Sequence, residues 1–134
     1  MPSLRAKELI KEQPPVTITP DTSLIEAAKK MTAYNIGSLP VVDEQGHLIG
    51  IITERDLVRV IAEHGPQALQ DPVEKHMTRN PVTAHPEDPI PALAHKMLEH
   101  GIRHIPVVDE QGRLQGVVSI RRILRHIMAE NEWP

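Results

Sequence analysis

Apolar positions along the chain fall into two rhythms. Residues 24–34 place Leu24, Ala27, Ala28 and Met31 at helical spacing, and residues 90–100 do the same with Leu93, Ala94, Met97 and Leu98. Ser23 and Glu26, ahead of the first stripe, have the form of a capping box. The runs 38–42, 48–53, 104–108 and 114–119 are short and rich in Val and Ile, which predicts strands. Each pair of runs is separated by Asp-Glu-Gln-Gly, a hairpin turn in which Gly46 or Gly112 takes positive φ. Helices are expected to follow at 54–63 and 120–130. Shorter strands are expected at 16–18 and 82–84, each leading to a turn at Pro20 or Pro86, and a short helix at 4–10.

The rhythm recurs because the sequence does. Pro15-Val16-Thr17 returns as Pro81-Val82-Thr83, and Pro40-Val41-Val42-Asp43-Glu44-Gln45-Gly46 returns as Pro106-Val107-Val108-Asp109-Glu110-Gln111-Gly112. At an offset of 66, without gaps, 20 of 51 aligned positions are identical, where chance gives a few. The chain is therefore two copies of one β-α-β-β-α unit. Its parts are an N-terminal segment (1–14), a first repeat (15–65), a connection (66–80) and a second repeat (81–131). The fold class is α/β (α+β), with a short N-terminal helix added.

Composition narrows the picture. A chain of 134 residues allows two small units sharing a core better than two independent ones. With one Tyr, one Trp and no Phe, the core must be aliphatic. The net charge of −3 draws in neither nucleic acid nor an acidic membrane. No cysteine is present, which excludes disulfides and thiolate metal sites. No signal peptide or membrane-spanning run is visible, so a cytoplasmic protein is expected.

The element order, with Pro40-Val41-Val42-Asp43, Gly50-Ile51-Ile52-Thr53-Glu54-Arg55-Asp56, Gly101 to Pro106 and Gly116-Val117-Val118-Ser119, resembles a tandem pair of cystathionine β-synthase (CBS) domains. The resemblance covers nearly the whole chain. It implies two repeats related by pseudo-twofold symmetry, with two clefts between them, and a homodimer of four repeats. It also implies a regulatory role without catalysis. The ligand would be an adenine nucleotide (AMP first, then ADP or ATP), with S-adenosylmethionine or a dinucleotide as alternatives. An effector protein, which the sequence does not name, would receive the signal.

One position separates the copies. Thr53 caps a helix, and Asp56, three residues on, suits the helix dipole. The same helix start offers N–H groups to a phosphate, and the family's Asp holds a ribose diol. In the second copy Ser119 still caps, but Arg122 replaces the acid. Arginine cannot accept from a diol, though it pairs with anions. This arrangement is similar to the nucleotide-sensing subunit of AMP-activated kinase, where the cleft of a repeat with this substitution is unoccupied.

Carried over, Asp56 holds the ribose. Thr53, Arg55, Arg103, His104 and Arg121 face the phosphate, with Arg122 as a further candidate. Gly37, Ser38, Ile51 and Ile52 line the cleft, and Val82, Thr83 and Ala84 close over the base. One nucleotide per chain is expected. The cations favour a nucleotide over S-adenosylmethionine, whose sulfonium is positive.

Other readings are weaker. Eight histidines are present, but no His-Glu-x-x-His, and Gly101 interrupts the His100–His104 spacing. No nucleophile–base pair or P-loop is visible. Stacking aromatics are missing for a nucleic-acid partner. The basic helix after Ser119 is a candidate partner surface. Its simpler reading is core packing of Ile123, Leu124, Ile127 and Met128. A scaffold that needs no ligand is the remaining alternative.

Overall fold

The computed structural model describes residues 4–10 and 14–130. Residues 1–3 and 11–13 of the expected N-terminal segment, and residue 131 at the end of the second repeat, lie outside the described residues. The elements are α1 (Ala6–Ile10), α2 (Leu24–Tyr34), β1 (Ser38–Val42), β2 (Leu48–Thr53), α3 (Glu54–His64), β3 (Thr78–Arg79), α4 (Ile90–His100), β4 (His104–Val108), β5 (Leu114–Ser119) and α5 (Ile120–Glu130). Two 3-10 turns, Pro66–Gln70 and Val73–Lys75, stand between α3 and β3. The fold is mixed α+β with two small antiparallel sheets, one ordered β1-β2-β3 and the other β4-β5.

The chain divides into two compact units. One is continuous, residues 16–81, and the other joins 1–15 to 82–134. Each hairpin has the same register, Ser38 opposite Thr53 in one and His104 opposite Ser119 in the other. The shared Asp of the hairpin builds the turn. Asp43 Oδ1 accepts from the N–H of Gln45 and of His47, both at 2.9 Å, and Asp109 Oδ1 accepts likewise from Gln111 and Arg113. The His47 N–H is the main reason that the Asp43 carboxyl sits below its ordinary range. Gly46 and Gly112 do take positive φ, at 84° and 81°. Gly101 ends α4 in the left-handed region, which L side chains with a Cβ rarely adopt.

In the continuous unit Leu24, Leu39, Val41, Ile52, Val60 and Val73 are fully buried. In the other, Leu93, Ile105, Val107 and Val118 play this part, with Ala6 of α1 among them. Each such Leu, Ile or Val contributes about 1.5–3 kcal/mol.

Four expectations need correction. The strands expected at 16–18 and 82–84 shrink to single parallel bridges, Ile18 with Val41 and Ala84 with Val107. Prolines at 15, 20, 81 and 86 bracket these segments and limit the ladder. Of the four apolar residues expected to pack from α5, Ile123 is buried, while Leu124, Ile127 and Met128 are exposed. Leu98, expected on the inner stripe of α4, is 83% exposed, because Ile90, Leu93 and Met97 already form that stripe. At α2, Ser23 Oγ accepts from the Glu26 N–H at 3.2 Å, but it is Thr53 that carries the full capping box.

The segments before each repeat hold a further regularity. Leu4 accepts from the Ile90 N–H at 3.1 Å, and Ala6 and Lys7 donate to the carbonyls of Asp88 and Pro86. Asp71 accepts from the Leu24 N–H at 3.0 Å, and Val73 and Glu74 donate to Thr22 and Pro20. Residues 4–10 and 71–77 are thus equivalent lead-ins, 67 positions apart (71 − 4). Each docks on the repeat that does not follow it directly in the chain.

Docking demands close approach. A Cβ at Gly116 would lie 2.7 Å from Ile10 Cβ, and one at Gly50 would strike the Met77 side chain. Ion pairs of Lys7 and Arg5 with Glu87 flank the first lead-in, at 2.8 and 3.7 Å.

Candidate functional site

In the continuous unit, the end of the β1–β2 hairpin brings four of the expected residues together. Ser38 is the register partner of Thr53, and the Gly37 carbonyl accepts from the Glu54 N–H at 3.0 Å, which ties the hairpin to the start of α3. Thr53 N–H donates to Asp56 Oδ2 at 2.9 Å, and Asp56 N–H donates to Thr53 Oγ1 at 3.1 Å. This reciprocal cap holds both side chains rigidly.

It leaves chemistry unused. Thr53 Oγ1 accepts in the cap, so its own proton remains for an outside acceptor. A carboxylate has about four lone-pair positions. One on Asp56 takes the Thr53 N–H, and Oδ1 lies 3.5 Å from Arg59 Nη2. The Asp56 side chain is 16% exposed, enough for a hydroxyl to reach it.

Ser38 is buried, the only polar residue so buried among the described residues. Ile51 and Ile52 are buried. Arg55 is exposed beside the cap.

The other unit repeats the scaffold with different chemistry. Ile120 N–H donates to the Arg103 carbonyl at 2.8 Å, His104 pairs in register with Ser119, and Arg122 N–H donates to Ser119 Oγ at 3.1 Å. Position for position, Arg103 stands for Gly37, His104 for Ser38, Ser119 for Thr53 and Arg122 for Asp56. Arg103 and Arg121 are exposed, and His104 is half-buried.

Arg122, itself exposed, reaches along its own unit, where Nη1 donates to the Leu9 carbonyl at 2.9 Å. It therefore closes the C-terminal end of α1, a position where a cation is favourable. Val82 and Thr83 of the same unit are half-buried, and the Thr83 carbonyl accepts from Lys96 Nζ at 2.7 Å. Ala84 is fully buried, its N–H donating to the Pro106 carbonyl and its carbonyl accepting from the Val108 N–H, both at 2.9 Å.

Sequence reasoning missed Arg59. Its Nη1 donates to Glu63 Oε1 at 3.2 Å and its Nη2 to the His76 carbonyl at 3.3 Å, while Asp56 lies alongside. Its position one helical turn after Asp56, and its identity with Arg125 across the repeat, were the available signals. Also missed was His76, whose Nε2 lies 2.8 Å from Asp71 Oδ2. Among the described residues, no three His, Cys, Asp or Glu side chains gather as a metal ion requires, and no helix is long and apolar enough to cross a membrane.

Two copies of a β-α-β-β-α unit, each with a capped helix start at the end of a hairpin, define the class. The chain belongs to the CBS domain family, which its residues 6–63 and 73–129 match separately. The two matches begin 67 residues apart (73 − 6), the spacing of the lead-ins.

The chain is similar to L-aspartate semialdehyde sulfurtransferase of Methanocaldococcus jannaschii, at 40% identity over 87% of this chain and 22% of that protein. It is also similar to inosine-5'-monophosphate dehydrogenase of Aquifex aeolicus, at 38% identity over 83% of this chain and 22% of that protein. It thus spans about a fifth of the length of these two relatives.

Among solved structures, the CBS domain pair of protein MJ0100, in complex with 5'-methylthioadenosine and S-adenosyl-L-methionine, superposes with a TM-score of 0.87. Identity there is 36%, over 96% of this chain and 99% of that one. The CBS domain protein PAE2072 of Pyrobaculum aerophilum, complexed with AMP, has a TM-score of 0.84 at 30% identity, over 95% and 97% of the two chains.

Proposed function

We propose that this chain is a regulatory, non-catalytic module that holds one adenosine-containing ligand, AMP foremost, through the ribose diol at Asp56. The observation that carries this reading is the reciprocal cap. It fixes the Asp56 carboxylate at the mouth of α3 with acceptor positions left over, next to a Thr53 hydroxyl whose proton is uncommitted. The AMP complex of the Pyrobaculum protein and the methylthioadenosine complex of MJ0100 support the adenosine class.

The phosphate is assigned to Thr53, Arg55, Arg103, His104 and Arg121. Arg122 joins that set only by leaving the Leu9 carbonyl. Backbone of Ile51, Ile52 and Ala84, with Gly37, Ser38, Val82 and Thr83, lines the base and ribose. ADP and ATP extend the same phosphate end. S-Adenosylmethionine would share the ribose contacts but set its sulfonium against cations. The exposed Val58 and Ile61 of α3, and Leu124 and Met128 of α5, support association with a second copy. The signal passes to an effector protein.

Calorimetric titration with AMP tests the reading. One site per chain is expected, and Asp56→Ala weakens binding about 10- to 100-fold, the loss of hydrogen bonds to a charged acceptor. Equal binding by the variant sinks the assignment, and two sites per chain defeat the claim that the Arg122 side is unfilled.

A further inference from the structure

We infer that Arg59 couples the diol site to the second lead-in, residues 71–77, by dividing one guanidinium nitrogen between them. The inference rests on the assignment of the ribose to Asp56. Arg59 Nη2 lies 3.5 Å from Asp56 Oδ1 and 3.3 Å from the His76 carbonyl, both longer than the ~2.9 Å of a good N–H···O bond. The other unit supplies the uncontested case. His76 and Leu9 are 67 positions apart, so they are equivalent carbonyls at the ends of equivalent lead-ins. At Leu9 the latch is Arg122, which stands where the carboxylate would be, and its bond has closed to 2.9 Å. Among the described residues no acid pairs with Arg122, and it reaches its full bond to the lead-in, whereas Arg59, drawn toward Asp56, does not.

A cis-diol donating both its hydroxyls to Asp56 Oδ1 fills both lone-pair positions of the oxygen that draws Arg59. Nη2 then closes on the His76 carbonyl, with Nη1 still held by Glu63 at 3.2 Å. The lead-in is thereby tightened. It is also the stretch through which the chain enters the second repeat, so occupancy of the first repeat is written into that stretch. The His76–Asp71 contact at 2.8 Å and the Lys75–Asp71 pair at 3.8 Å brace the same lead-in and carry the change along it.

Amide hydrogen exchange on the full chain tests the coupling. The probes are His76 and Met77, whose N–H groups bond to the Val73 carbonyl at 2.9 and 2.8 Å. Saturating AMP is expected to slow their exchange at least about fivefold in the wild type, the lower end of a typical coupling. Arg59→Gln should still bind AMP and lose this slowing, which a merely structural role for Arg59 does not predict. A wild type that binds AMP without slowing these amides overturns the coupling, as does an Arg59→Gln variant that keeps the full response.

A ligand-free arm separates this inference from the ribose assignment. Asp56→Asn removes the competing charge, so its lead-in amides should exchange more slowly than those of the Asp56→Asn/Arg59→Gln double variant by about the same factor. Equal exchange in those two variants overturns the coupling. Failure of AMP to bind the wild type overturns the ribose assignment instead.

Discussion

Replacing Gly116 with alanine puts one methyl group where the first lead-in meets β5. The new Cβ would lie 2.7 Å from Ile10 Cβ and 2.8 Å from Ile10 Cγ2, where carbon atoms settle at about 3.5–4.0 Å. Ile10 Cβ is bound directly to the backbone of α1, so no rotamer change relieves it and α1 must retreat by about 1 Å. That retreat lengthens the Arg122–Leu9 bond and opens the packing of Ala6 and Leu9. Overpacking costs about 1–3 kcal/mol, and this contact belongs in the upper half of the range.

Gly50→Ala is the internal control. The three atoms nearest its Cβ all belong to the Met77 side chain, and a thioether repacks easily, so about 1 kcal/mol or less is expected. With a urea slope of about 2 kcal/mol/M, Gly116→Ala lowers the unfolding midpoint by about 1 M and Gly50→Ala by less than half of that. Ile10→Ala keeps the clashing Cβ and should recover little of the loss, whereas Ile10→Gly removes it, so Gly116→Ala should cost less than half as much in the Ile10→Gly background as in the wild type, a coupling that a double-mutant cycle measures. A Gly116→Ala protein with the wild-type midpoint, or a Gly116→Ala loss that is as large in the Ile10→Gly background as in the wild type, would refute the account of how α1 docks.

Two further outcomes follow from named contacts. Arg122→Ala removes a charge-assisted bond to the Leu9 carbonyl and should cost about 1.5–3 kcal/mol in urea melts, whereas exposed Arg125→Ala stays within about 0.5 kcal/mol; equal effects would dismiss the latch. The Asp71 carboxyl is held below its ordinary range, first by its hydrogen bond with His76. A lowered folded-state pKa gives stability that is present above the unfolded value of about 3.9 and lost as pH falls through the folded one. The stability gap between wild type and Asp71→Asn should therefore be full at about pH 5 and close toward about pH 3. A gap that is unchanged over that window contradicts the assignment.

The repeated elements were legible because hydrophobic periodicity and turn chemistry agree at each of them. Leu24, Ala27 and Met31 form a helix stripe, and Asp43 with Gly46 specifies a turn whose hydrogen bonds are local. The equivalence of the lead-ins was not legible. Leu4 to Ile10 and Asp71 to Met77 share no identical residue and stand 67 apart rather than 66, so a gap-free comparison passes over them. What they share is backbone hydrogen bonding and apolar residues at two places, Ala6 and Ile10 in one and Val73 and Met77 in the other, which many sequences satisfy.

At the site, the Thr53–Asp56 cap was visible from spacing alone, since both partners lie within one turn. The destination of Arg122 was not, because its acceptor is a main-chain carbonyl more than a hundred residues away and carries no side-chain signature. Leu124 and Met128 misled for the opposite reason. Their spacing suits a helix face, but Ile123 already fills the place against the core.

The crossed lead-ins also set an order in time. Residues 16–81 form one compact, continuous unit, so that unit can close as soon as this stretch has left the ribosome. Residues 4–10 emerge before any of it, yet their acceptors, the carbonyls of Pro86 and Asp88, are made some eighty residues later. The latch on them, Arg122, comes 113 residues after Leu9. Loop closure over such separations is slow relative to local hairpins. Residues 4–10 are thus made long before their seat, and until residues 82–122 follow, the apolar face of Leu9 and Ile10 waits in solvent.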